Sequence, residues 1–211
     1  MSDVVFSTGF AQADGALDAP WVNGGWNGHA GALQALSNRV RSNAAQTTEL
    51  PCSVIDQALP ADQYIVLTIP TFSVSAGVTI YALAQLRMAP APTQTYYRLY
   101  VGSVAGVTRF DLSALVNGTE TFIGSVTTTI AAGDTIVFVV VGKRASVYRN
   151  GALALEVIDG SVTGQGRAGI GIYYTAGAQS DLEIDDVVIG VAAEIRHSYD
   201  SFPKSALRRA A

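Results

Sequence analysis

Three things are scarce in this chain of 211 residues: cysteine, histidine and charge. Cys52 is the sole cysteine, so no intramolecular disulfide can form and the fold has to hold by packing. His29 and His197 are the only histidines, no His/Cys cluster has zinc spacing, and neither histidine lies beside a Ser or Cys nucleophile motif. Charged residues make up 14%, about half the usual share. The net charge of -4 and a pI near 5.0 exclude a nucleic-acid binder that relies on a broad basic surface. Ile136 to Val141 is the longest unbroken apolar run, far short of the ~20 residues that a membrane helix needs, so no membrane association is expected. The opening Met1-Ser2-Asp3-Val4-Val5-Phe6 has neither a basic nor an apolar leader region, so no signal peptide is expected.

What is present is a strand composition. Hydrophobic residues reach 49%, with 21 glycines and abundant Val, Ile, Thr and Ser, which excludes a disordered chain. From residue 64 onward, β-branched and aromatic runs alternate with turn signals every 8 to 15 residues. Strands are predicted at Tyr64 to Ile69, Val78 to Met88, Thr95 to Val101 (ending at Gly102), Val107 to Leu112, Thr121 to Ile130, Thr135 to Val141, Ala168 to Tyr174 and Leu182 to Val191. Asn150-Gly151 between Ala145 to Arg149 and Ala152 to Ile158 predicts a two-residue hairpin, because both turn positions need positive φ. Residues 29 to 46 read as two short strands around Ser37-Asn38, although Ala30, Leu33, Leu36 and Val40 also have helical spacing.

Phe10-Ala11-Gln12-Ala13-Asp14-Gly15-Ala16-Leu17 followed by Trp21 resembles the opening of concanavalin A-like, laminin-G-like jelly-roll domains of bacterial and phage proteins. Gly133-Asp134 before an apolar strand, Tyr148-Arg149-Asn150-Gly151, Gly166-Arg167-Ala168-Gly169 and Ile184-Asp185-Asp186-Val187 follow in the order of that family. The resemblance spans about residues 4 to 190 and implies an all-β, antiparallel two-sheet jelly-roll sandwich with first and last strands together. The expected division is a sandwich over 1–191 and a C-terminal extension over 192–211. Many relatives hold calcium, but Thr8-Gly9 stand where acidic residues often precede the Phe, and Gln12 stands where an Arg often follows it. No cofactor is therefore expected.

Glu183-Ile184-Asp185-Asp186 invites comparison with glycosidases of this fold, whose catalytic strand reads Glu-x-Asp-x-Glu or Glu-x-Asp-x-x-Glu. The second Glu would fall at 187 or 188, and both are Val, so no enzyme is expected. A metal held by Asp185 or Asp186 with Asp14 is the alternative to a closing strand with solvent-facing acids. Gly164-Gln165-Gly166-Arg167-Ala168-Gly169 reads as a loop between strands, because no helix follows to receive a phosphate. Tyr96-Tyr97 and Tyr173-Tyr174 should each send one ring inward and one outward. Outward Tyr97, Arg98 and Tyr174 are the candidate ligand-binding surface, and Trp21 and Trp26 are candidate packing residues.

The tail is basic: Arg196, Lys204, Arg208 and Arg209 against Glu194 and Asp200 give 4 − 2 = +2, which leaves the body at -6. Tyr199, Phe202 and Leu207 lie between those charges, so Arg196, Tyr199, Phe202, Leu207, Arg208 and Arg209 form a candidate partner-docking arm. The resemblance implies a virion component assembled in the host cytoplasm, a capsid decoration or tail protein in repeated copies or as a homo-oligomer. Its partners would be other virion proteins and surface glycans. A carbohydrate-binding module is the alternative.

Overall fold

The structure is a computed structural model that describes residues 3–23, 33–42, 52–74, 76–90, 93–175 and 181–192. Trp26, His29, His197 and the arm residues Arg196, Tyr199, Phe202, Leu207, Arg208 and Arg209 lie outside them. Every regular element among the described residues is a strand. In chain order these are β1 (Asp3–Thr8), β2 (Gly15–Ala16), β3 (Trp21–Asn23), β4 (Leu33–Leu36), β5 (Arg39–Ser42), β6 (Cys52–Ile55), β7 (Gln63–Ile69) and β8 (Ile80–Met88). There follow β9 (Tyr96–Val104), β10 (Val107–Val116), β11 (Thr119–Thr127), β12 (Asp134–Val141), β13 (Arg144–Arg149), β14 (Ala152–Ile158), β15 (Arg167–Tyr174) and β16 (Asp185–Val191).

They form a six-stranded sheet in the order β1-β16-β7-β12-β13-β14, a seven-stranded sheet β11-β10-β9-β8-β15-β6-β3 and a small sheet β2-β4-β5. The pairings are antiparallel, and β1 lies against β16, so the first and last strands meet as expected. The sheets share one core: Ile65, Phe138 and Ile189 come from the six-stranded sheet, Tyr97, Phe110 and Ile172 from the seven-stranded sheet, and Leu33 and Val40 from the small one. Each such large side chain taken fully out of water contributes about 1.5–3 kcal/mol, the main driving force in a chain without disulfides.

Two-residue turns set the registers. Asn150-Gly151 joins β13 to β14 with φ of 48° and 94°, and Asn117-Gly118 and Ser37-Asn38 have the same sign at both positions, as a type I′ turn requires. The stretch at 33–42 is thus two strands, not a helix. Asp134 reinforces one turn from across the sheet, since its carboxylate accepts from Arg149 Nε at 2.6 Å and Asn150 Nδ2 at 2.6 Å. Several expected boundaries are corrected: β10 runs on to Val116, β11 ends at Thr127, β16 starts at Asp185, and β9 does not end at Gly102 but runs through it to Val104. A Cβ at Gly102 would lie 1.9 Å from the Ile80 carbonyl oxygen, so this glycine permits a close backbone approach within the sheet instead of a turn.

Candidate functional site

Strand alternation on β9 sends Tyr97, Leu99 and Val101 into the core and leaves Tyr96, Arg98 and Tyr100 on the outer face of the seven-stranded sheet. The rule of one ring each way holds for both tyrosine pairs, but the directions are corrected. Tyr97 and Tyr174 are 0% and 2% exposed and face inward, so neither offers a surface to a ligand. Tyr97 Oη donates to Asp159 at 2.7 Å, and burial together with that bond pushes its pKa up to about 12. The outward ring of the second pair is Tyr173, which stacks with Tyr81 at 6.4 Å.

Arg98 does lie on the outer face, where it is 2% exposed and sits over the Tyr96 and Tyr100 rings at 5.0 Å and 5.6 Å. It donates to Tyr100 Oη at 2.9 Å and to Tyr96 Oη, and the Gln85 amide oxygen accepts from it at 3.2 Å when turned toward the guanidinium. Burial works against the charge, but Tyr100, Tyr96 and Glu120 more than offset it, so the guanidinium stays protonated. Arg98 is therefore the base of the surface, and it orients the groups above it.

Those groups come from β10 and β11, and two networks hold them. Glu120 Oε1 accepts from Tyr100 Oη and Ser113 Oγ, both at 2.6 Å, with Arg98 at 3.7 Å. Burial raises the Tyr100 pKa, so its hydroxyl keeps the proton that it donates. On the row beside it, Asp111 Oδ1 accepts from Ser125 Oγ at 2.6 Å and from Arg109 at 2.7 Å, while Arg109 also reaches Ser125 Oγ at 2.8 Å. Over this polar end stands Phe122, 63% exposed, with its ring 5.8 Å from that of Tyr100. Glu120 and Ser125 are exposed beside it, so the β10–β11 end of the face is accessible.

Phe122 is the residue that the sequence did not reveal. Simple alternation along β11 places Phe122 with Gly124 and Val126 on one side, and Val126 packs on the core. The register breaks, however: Leu112 pairs with Gly124 and Ser113 with Phe122, which makes Ile123 the extra residue of a β-bulge. The bulge turns Phe122 onto the same face as Ser125. A glycine inside a strand was the only local signal of it.

The acidic run that leads into β16 does not assemble into a comparable site. Glu183 is 1% exposed and is gripped by Arg39, Arg41 and Thr71. Burial alone would raise its pKa, but the hydrogen bonds from Thr71, Arg39 and Arg41 hold it below the usual range, so it stays ionised and is unsuited to act as a general acid. Val187 and Val188, at the places of the second Glu, pack in two different apolar clusters. Asp14 accepts from the Ser37 amide at 2.8 Å. Among the described residues, no group of three or more His, Cys, Asp or Glu could hold a metal ion.

No protein-family model and no curated protein sequence matches the chain. Solved structures do match over most of its length. A carbohydrate-binding module, CBM66 from Bacillus subtilis, superposes with a TM-score of 0.59 and 15% identity, covering 79% of this chain and 91% of that one. The β-glucanase of Bacillus licheniformis gives a TM-score of 0.62 at 13% identity over 89% and 98% of the two chains. The CBM2 module of the evolved Dit protein of Lactobacillus casei BL23 phage J-1 gives 0.58 at 9% identity over 92% and 98%. Binding modules and glycosidases thus share this architecture, and at such identities the likeness establishes the fold. The chain has the concanavalin A-like jelly-roll fold.

Proposed function

We propose that the protein is a non-catalytic carbohydrate-binding module whose glycan site is the β10–β11 end of the outer face of the seven-stranded sheet. The observation that carries this reading is the exposed Phe122 ring standing beside a fixed set of hydroxyls and carboxylates. An aromatic ring can cover the apolar C–H face of a sugar while the ordered polar groups bond its hydroxyls, the usual composition of a small-ligand site. Glu183, buried between two arginines, supports a non-catalytic role. Binding to a panel of soluble oligosaccharides tests the proposal. Phe122→Ala should weaken the binding seen with the native chain about tenfold, a loss of about 1.4 kcal/mol, without changing the thermal midpoint. Binding that survives intact in Phe122→Ala would remove the site from this face.

A second reading, that the module belongs to a phage virion as a capsid decoration or tail component, is favoured by the likeness to the phage Dit module. In that reading residues 193–211 attach the sandwich to other virion proteins. The arm is taken from 193 because Ala192 is fully buried and its amide donates to the Asp62 carbonyl. Deleting residues 193–211 should leave the unfolding midpoint unchanged and abolish incorporation into particles. Unchanged incorporation would exclude the arm.

A further inference from the structure

We propose that the β10–β11 site takes an uncharged glycan and rejects uronate-rich and sulfated ones, a selectivity that rests on the glycan-binding reading above. The warrant is how completely the arginines are used. Each of the eight arginines among the described residues is already paired with a carboxylate: Arg39 and Arg41 with Glu183, Arg87 with Asp62, Arg98 with Glu120, Arg109 with Asp111, Arg144 with Glu156, Arg149 with Asp134 and Arg167 with Asp56. At the site itself the count is two guanidinium groups against two carboxylates, Arg109 hydrogen-bonded to Asp111 and Arg98 paired with Glu120 at 3.7 Å.

An anionic sugar that formed a two-point ion pair with Arg109 would have to draw its Nε or Nη2 away from Asp111. The Asp111 side chain is 5% exposed, so the separation would strand a nearly buried carboxylate, the outcome that costs most in such pairs. Arg98 is less available still, because its donors are spent on Tyr96 and Tyr100 beneath the surface. The incoming charge would also meet Glu120 directly, on a body that carries 9 basic against 15 acidic residues up to position 192. A neutral sugar meets none of these obstacles. Its hydroxyls donate and accept, so they can bond the outer lone pairs of Glu120 and the Ser125 hydroxyl while both ion pairs stay closed. Phe122 and Ser125 stand on neighbouring rows of the face, about 7 Å apart along the strand, the span of roughly one pyranose ring.

The test is calorimetric titration of the full chain with a soluble β-glucan, a galactan and a mannan as neutral probes, and with polygalacturonate and heparin as anionic ones. Each titration is run at 20 mM and 500 mM NaCl, and repeated with Phe122→Ala. The expected result is binding to at least one neutral probe that changes less than twofold with salt and weakens about tenfold in Phe122→Ala, with no binding to either polyanion. Phe122-dependent binding of a polyanion that weakens steeply with salt would overturn the selectivity while upholding the glycan site. No binding of any probe would overturn the glycan reading itself, and the selectivity with it.

Discussion

At the scale of single residues, Arg98 shows how this protein places charge. It lies among aromatic rings because each of its donors finds an oxygen there, and the tyrosines it touches are in turn held in place. Replacing it by Met removes the bonds it gives to the Tyr96 and Tyr100 hydroxyls and takes the paired cation from Glu120. Arg98→Met should therefore lower the unfolding free energy by roughly 2–3 kcal/mol, measured by urea denaturation. Glu183 makes the corresponding prediction in pH. Its folded pKa lies below the ordinary value, so its contribution is present at neutral pH and is lost as pH falls through the folded pKa. The thermal midpoint should drop as the pH is lowered from about 5 toward 3, and the drop should be shallower in Glu183→Gln. Asp185 and Asp186 are raised by burial and act with the opposite sign, so the comparison of variant with native chain isolates Glu183. Residue identity was the least legible level in the sequence: period-2 alternation showed that Tyr96-Tyr97 and Tyr173-Tyr174 split across the sheet, but alternation has no absolute phase. Which member faced the core depended on partners from distant strands.

At the scale of elements, turns were the most legible features. Asn150-Gly151 announced positive φ at both positions, a local constraint that needs no tertiary information, and Ser37-Asn38 was read as the joint between two short strands. Glycines inside strands were not legible in the same way. Gly102 looked like a strand end and is a point of close backbone approach, and Gly124 signalled a bulge without showing which neighbour is the extra residue or that Phe122 is exposed by it. At Gly124 a Cβ would stand 2.5 Å from Val157 Cγ2, which makes this residue the place where β11 closes onto β14 across the sandwich edge. Gly124→Ala should cost about 1–3 kcal/mol of stability by overpacking that edge, and should also shift the Phe122 amide resonance. A neutral effect on both would show that β11 and β14 are less tightly joined than the structure has them.

At the scale of the molecule, scarce charge goes with paired charge. Few charged groups were available, and the fold neutralises its described arginines in pairs instead of spreading them over the surface. Composition and rhythm showed an all-β chain, a sandwich or a barrel, and the family resemblance implied the two-sheet antiparallel form; the strand order was not legible, because β7 lies between β12 from later in the chain and β16 beyond it. Pairing of β1 with β16 makes the sandwich depend on both ends at once. Removing residues 3–8 should uncover the edge of β16 and yield aggregated protein in size-exclusion chromatography. The site inherits this rigidity, since its polar groups stand on three consecutive paired strands, β9, β10 and β11. The central claim is that glycan binds on their outer face. Its most direct test is an NMR titration of isotopically labelled protein with the neutral oligosaccharide that binds best. Shift changes confined to Arg109, Ser113, Glu120, Phe122 and Ser125 are the expected result; changes centred elsewhere on the sandwich, with these five residues still, would contradict it.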